Sequence, residues 1–197
     1  MILGITGSIG SGKTTVASVF KEYGFGAINA DEIAHGLMQK NSSVYKKLLN
    51  FFGYEILDKN RNIDRKKLGD IVFSDKKKLK ALNSIMHPPI IKKINNQKNS
   101  LLENFFENII IDAPLLLETG AKSLVDKIIV VKAGRKNVMK RIGSRIPKEK
   151  IEKVLNLQMP LKEKLAYADF VIDNNKDIIH LKKQVKSIVE KFKCMTQ

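Results

Sequence analysis

The sequence predicts an α/β fold: a five-stranded parallel sheet flanked by helices, with an inserted helical subdomain and a small lid. Three observations predict it. Five apolar runs alternate with helical patterns, the runs are unevenly spaced, and a glycine-rich segment joins the first run to the first helical pattern. The runs fall at residues 2–5, 27–29, 109–112, 127–131 and 170–172. They are nearly all apolar rather than alternating, as in Ile109-Ile110-Ile111 and Ile128-Ile129-Val130-Val131. That composition suits strands covered on both faces.

The first run leads into Gly7-Ser8-Ile9-Gly10-Ser11-Gly12-Lys13-Thr14, the pattern G-x-x-x-x-G-K-T. Its three glycines let the backbone turn tightly and aim consecutive N–H groups at an anion, and the following helix points its positive N-terminal dipole the same way. Lys13 adds a charge for the β- and γ-phosphates, the Thr14 hydroxyl is a Mg²⁺ ligand, and Thr15 completes the ATP-binding segment. This P-loop indicates nucleotide binding but leaves the fate of the γ-phosphate undecided. The second run ends in Asn29-Ala30-Asp31. Asp31 there faces the crevice where doubly wound sheets bind ligands, as a base for an acceptor hydroxyl or an outer-shell partner of Mg²⁺; its alternative is to cap the helix beginning near Glu32.

The insert, about residues 31–106, carries apolar residues at helical spacing: Val44, Leu48, Leu49 and Phe52, then Leu68, Ile71 and Val72, then Leu79, Leu82, Ile85 and Met86. Pro88-Pro89 is expected to interrupt the last helix and start another. The third run ends in Asp112, either a Walker B carboxylate acting on Mg²⁺ through water or an Asp favoured by a turn. Residues 135–158 are rich in Lys and Arg, including Arg141 and Arg145, which suits a lid over phosphates. At the C-terminal end Ile178, Leu181, Val185, Ile188, Val189 and Phe192 form one helical stripe expected to cover the sheet.

Composition narrows the setting. The chain has 197 residues and a net charge of +16, from 36 Lys+Arg against 20 Asp+Glu. That charge attracts polyanions in general. With no Trp and only four Tyr to stack bases, dedicated nucleic-acid binding is disfavoured. The single cysteine, Cys194, excludes an intramolecular disulfide. The start lacks a basic leader, and no apolar run reaches the length of a membrane span, so a cytoplasmic protein without membrane attachment is expected. A single domain and a monomer are the simpler expectations.

Taken together, these segments resemble the dephospho-CoA kinases almost end to end. The resemblance rests on the loop at 7–14, Asn29-Ala30-Asp31, Ile63-Asp64-Arg65 with Leu68 and Phe73, and His87-Pro88. It continues through Pro114-Leu115-Leu116-Leu117-Glu118, Arg141 with Arg145, and Gln158 followed by Ala168-Asp169-Phe170-Val171-Ile172-Asp173-Asn174. It implies Mg²⁺-dependent transfer of the ATP γ-phosphoryl to the ribose 3′-hydroxyl of dephospho-CoA, the last step of coenzyme A synthesis. It implies catalytic roles for Asp31, Lys13 and Arg141, with Arg141 and Arg145 closing over the phosphates. Arg65, His87, Leu115, Leu116 and Glu118 would meet the acceptor, and Asn174 the adenine of ATP. Read from the residues alone, the arginines also fit an exposed helix, His87 a packing role, residues 115–117 an apolar turn over the core, and Asn174 a plain turn. The chain departs from the family pattern at Asn29, which replaces a carboxylate, at the short lid around Ile146-Pro147, and at Lys176. Another small-molecule kinase and a nucleic-acid-dependent ATPase are the competing readings.

Overall fold

The computed structural model describes residues 1–143 and 147–195, apart from the side chains of residues 148–150, 153 and 193–195. Strands β1 (Ile2–Thr6), β2 (Gly26–Asn29), β3 (Ile109–Asp112), β4 (Lys127–Lys132) and β5 (Phe170–Asp173) form one parallel sheet in the order β2-β3-β1-β4-β5. Each apolar run becomes a strand. Ile109, Ile110, Ile111 and Val131 are fully buried, as expected of strands covered on both faces. The chain divides into two compact units, residues 1–29 with the chain from Lys98 onward, and Ala30–Gln97.

In the first unit, α1 (Lys13–Glu22) and α9 (Ile178–Met195) cover one face of the sheet. Val16, Val19 and Phe20 of α1 share a core with Leu181, Val185, Ile188 and Phe192 of α9, closing over Leu3, Ile5 and Ile129. Burial of each such side chain contributes roughly 1.5–3 kcal/mol. The predicted α9 stripe begins one turn late, because Ile178 is half-exposed in the helix's first turn. Helices α6 (Arg135–Ile142), α7 (Lys148–Leu157) and α8 (Leu161–Leu165) lie between β4 and β5 in the chain.

The second unit contains α2 (Ala30–Leu37), α3 (Ser43–Phe52), α4 (Arg65–Ser74) and most of α5 (Lys76–Glu103) around Val44, Leu48, Ile56, Leu68, Val72 and Met86. Local chemistry sets its boundaries. Ser42 Oγ accepts the Tyr45 N–H at 2.9 Å, and Asp64 accepts the N–H groups of Lys66 and Lys67 at 2.8 and 3.1 Å, so each side chain satisfies donors that a helix start leaves open. Asp58 accepts the Asn60 and Asn62 N–H groups, turning the chain so that Leu57 pairs antiparallel with Ile63.

Helix α5 corrects the sequence reading, for it runs through Pro88 and Pro89 without a break. Proline's fixed φ is helical, so what is lost is each proline's hydrogen bond to the carbonyl four residues back, together with the steric cost of its ring. Ser84 and Pro88 face solvent, where water can hydrate the unbonded carbonyl. Buried Met86, with Leu79, Leu82, Ile85 and Ile90 packed on the core, holds the helix on either side of the prolines.

Candidate active site

The central position of β1 sets the site. Strand β1 lies between β3 and β4, and the chain beyond its C-terminal end enters the loop at Gly7, at the point where connections to the sheet diverge. Two glycines show why the loop needs them. Gly7 has φ +151°, and an added Cβ would lie 2.3 Å from the Val131 carbonyl oxygen. Gly12 has φ +91°, and its added Cβ would meet Asn174 Nδ2 at 2.1 Å. A side chain at Gly7 would require the β4 backbone to move, and one at Gly12 would displace the Asn174 side chain.

From Gly12 the chain enters α1 with no side chain capping its first amides, leaving donors and dipole directed at the loop. Lys13 is buried, and its Nζ donates to the Gly7 and Ser8 carbonyls at 3.1 and 3.0 Å. Thr14 Oγ1 donates to Asp112 Oδ2 at 3.0 Å. The sheet register explains that contact, since Asp112 stands level with Ile5, one residue before the end of β1. Two hard oxygen ligands side by side suit Mg²⁺, which keeps most of its shell for water and phosphate oxygens. Among the described residues no cluster of three or more His, Cys, Asp or Glu is placed to hold a metal ion.

Arg141 of α6 is tied to the same loop. Its guanidinium donates to the Gly10 and Ser11 carbonyls at 3.5 and 3.2 Å and to the Asn174 carbonyl at 2.7 Å. Asn174 is buried, and its Nδ2 donates to the Ser11 carbonyl at 2.7 Å. Both side chains therefore tie the loop through its carbonyls. Arg145 lies outside the described residues.

On the other side of β1, residues 114–118 turn over the sheet. Leu116 is fully buried, and its Cδ2 would lie 2.5 Å from a Cβ on Gly4, so Leu116 spends its surface on the sheet rather than on a pocket; Leu115 is half-buried. Glu118 Oε1 accepts the Met159 N–H at 3.0 Å and pairs with Lys164 Nζ at 2.9 Å. Lys164 is wholly buried and also donates to Thr6 Oγ1 and the Pro114 carbonyl at 3.2 and 2.7 Å. Gln158 Oε1 accepts the Ile9 N–H of the loop at 3.1 Å. Neither Lys164 nor Gln158 was assigned a role from the sequence. Lys164 sits in Lys162-Glu163-Lys164, which reads as solvated charge.

The remaining predicted residues lie in the second unit. Asp31 and Glu32 occupy the first turn of α2. Arg65 opens α4 and, with His35, Gln39 and Asn62, lines a cleft of about 280 Å³. His87 is half-buried in α5, and desolvation lowers its pKa, favouring the neutral ring. His35, on the helix that carries Asp31, lines the Arg65 cleft although a lone histidine in an amphipathic helix carries no sequence motif.

A parallel sheet ordered β2-β3-β1-β4-β5, with G-x-x-x-x-G-K-T after the central strand and an Asp level with its end, defines a P-loop phosphotransferase fold. The dephospho-CoA kinase family model matches residues 1–180, and the chain belongs to that family. It is 42% identical to a dephospho-CoA kinase of Aquifex aeolicus, covering 96% of each chain. With a dephospho-CoA kinase of Carboxydothermus hydrogenoformans the identity is 40%, over 98% of this chain and 94% of the relative. A solved dephospho-CoA kinase from Campylobacter jejuni superposes with a TM-score of 0.70 at 30% identity, covering all of this chain and 98% of the other.

Proposed function

We propose that this chain transfers the γ-phosphoryl group of ATP to the ribose 3′-hydroxyl of dephospho-CoA, releasing ADP and coenzyme A. The observation that carries the reading is the loop at 7–14, with Lys13 and the Thr14–Asp112 pair at the end of the central strand, in a chain of this family. Loop amides and the α1 dipole bind the β- and γ-phosphates, and Lys13 leaves the Gly7 and Ser8 carbonyls to meet them. Thr14 and Asp112 would hold Mg²⁺, which would offset charge on the phosphate oxygens. Arg141 supplies positive charge to the transferring group, with Arg145 as a second arginine. Asp31 aligns the acceptor hydroxyl and takes up its proton. Arg65, His87, Leu115 and the Glu118 turn belong to acceptor binding, and the neutral ring of His87 can donate or accept one hydrogen bond there. The reaction belongs in the cytoplasm. Among the described residues no helix is long and apolar enough to cross a membrane.

The test is ADP release on purified protein with ATP and Mg²⁺, comparing dephospho-CoA with adenosine, shikimate and nucleoside monophosphates. Stimulation by dephospho-CoA above the other acceptors is expected. Equal or greater stimulation by another acceptor would sink the assignment.

A further inference from the structure

The carbonyl of Ser8 and the N–H of Ile9 belong to one peptide group, and two side chains hold it from opposite ends. Lys13 Nζ donates to its oxygen at 3.0 Å, while Gln158 Oε1 accepts its hydrogen at 3.1 Å. Because an N–H must donate, the oxygen of the Gln158 amide is the atom turned to the loop. Gln158 directly follows α7, and the next residue, Met159, donates its N–H to Glu118. Five residues on, Lys164 fixes that same Glu118 oxygen and the ends of β1 and β3, through Thr6 Oγ1 and the Pro114 carbonyl. All three ammonium protons of Lys164 thus have acceptors, which is what a fully buried lysine requires. Residues 158–164 form one hydrogen-bonded strut from the exit of α7 to the phosphate loop and the 114–118 turn.

We propose that Gln158 and Lys164 are positioning residues for phosphoryl transfer. Gln158 sets the plane of the Ser8–Ile9 peptide beside the Lys13 ammonium, and Lys164, through Glu118, sets where Gln158 stands. When Lys13 turns from the Ser8 carbonyl to phosphate, that oxygen keeps only the Ser11 N–H at 3.1 Å, a bond within the loop itself. Gln158 is the side chain that still ties the peptide to the rest of the fold, so the loop holds its shape at the moment the phosphoryl moves. Neither side chain is needed to bind nucleotide. The inference rests on the reading of residues 7–14 as a triphosphate site.

Wild-type ADP release with dephospho-CoA tests the assignment of activity by itself, and the variants are read relative to it. Gln158→Leu keeps side-chain volume and removes the acceptor. Its kcat is expected to fall about tenfold or more, since small misplacements at a transfer site have large kinetic costs, while KM for both substrates stays within about threefold. Its melting temperature should stay near wild type. Lys164→Met should show the same split, and the double variant should lose less than the product of the two single losses, because both act through one strut. Should Lys164→Met fail to fold, Gln158→Leu decides. A Gln158→Leu kcat within about twofold of wild type, or a loss seen only as a raised KM for ATP, overturns the proposal. Losses that multiply in the double variant overturn the coupling of the two residues.

Discussion

Burial keeps the His87 imidazole neutral to lower pH than the free side chain, and that sets a direction for stability. The unfolded ring takes up its proton near 6.5, the folded ring only below that. Between the two values the unfolded chain binds more protons, so stability is full above 6.5, falls as pH drops through it and levels off below the folded value. Urea midpoints from pH 7.5 to 5 should decline, and His87→Gln should flatten that decline; an unchanged slope in the variant would assign the effect elsewhere. Asp169 acts in the same direction at lower pH. Burial raises its pKa, but the Lys127 ammonium and the Ile128 N–H outweigh this and hold it below 3.8, so its contribution is lost only in stronger acid. At the proposed acceptor side, Asp31→Asn should lower kcat by about 10²-fold or more with ATP affinity nearly kept; a large loss of ATP affinity would make Asp31 a metal-linked residue. Lys13 and Thr14 were legible in the sequence because the motif's chemistry is local. Lys164 was not, because its three acceptors come from segments far apart in the chain, and no spacing encodes them.

The strands were legible because the sheet is covered on both faces, which writes itself into the sequence as unbroken apolar runs such as Ile128 to Val131. Helix α5 was misread because proline rules describe the helix alone, and here packing of Met86 and its neighbours outweighs the local cost. That cost can be measured. Pro88→Ala restores a donor on an exposed face and should stabilise the protein by up to about 3 kcal/mol, read as a raised urea midpoint. A lowered midpoint would mean that the ring itself packs usefully. The turn at residues 114–118 shows the limit of motif reading. Pro114 to Glu118 was legible as a unit, but one apolar side chain there, Leu116, belongs to the core, and which one it is depends on Gly4 leaving room for it on β1.

At the scale of the whole molecule, a net charge of +16 surrounds a reaction between two polyanions. Charge attraction speeds encounter and is screened by salt, so kcat/KM should fall as ionic strength rises from about 0.05 to 0.5 M, with kcat changing less. A kcat/KM independent of salt would reduce the charge to a solvation device. The sheet order carries a further consequence for how the molecule is made. The ammonium of Met1 donates to the Glu107 carbonyl, 106 residues away, and the Ile2 N–H donates to Asp126, 124 residues away. During synthesis β1 therefore leaves the ribosome before either strand that flanks it exists, and loop closure over such distances is slow. The phosphate loop is translated early and assembled late. Until β3 and β4 arrive, an apolar strand and a glycine-rich turn wait unpaired, and that interval exposes them to aggregation.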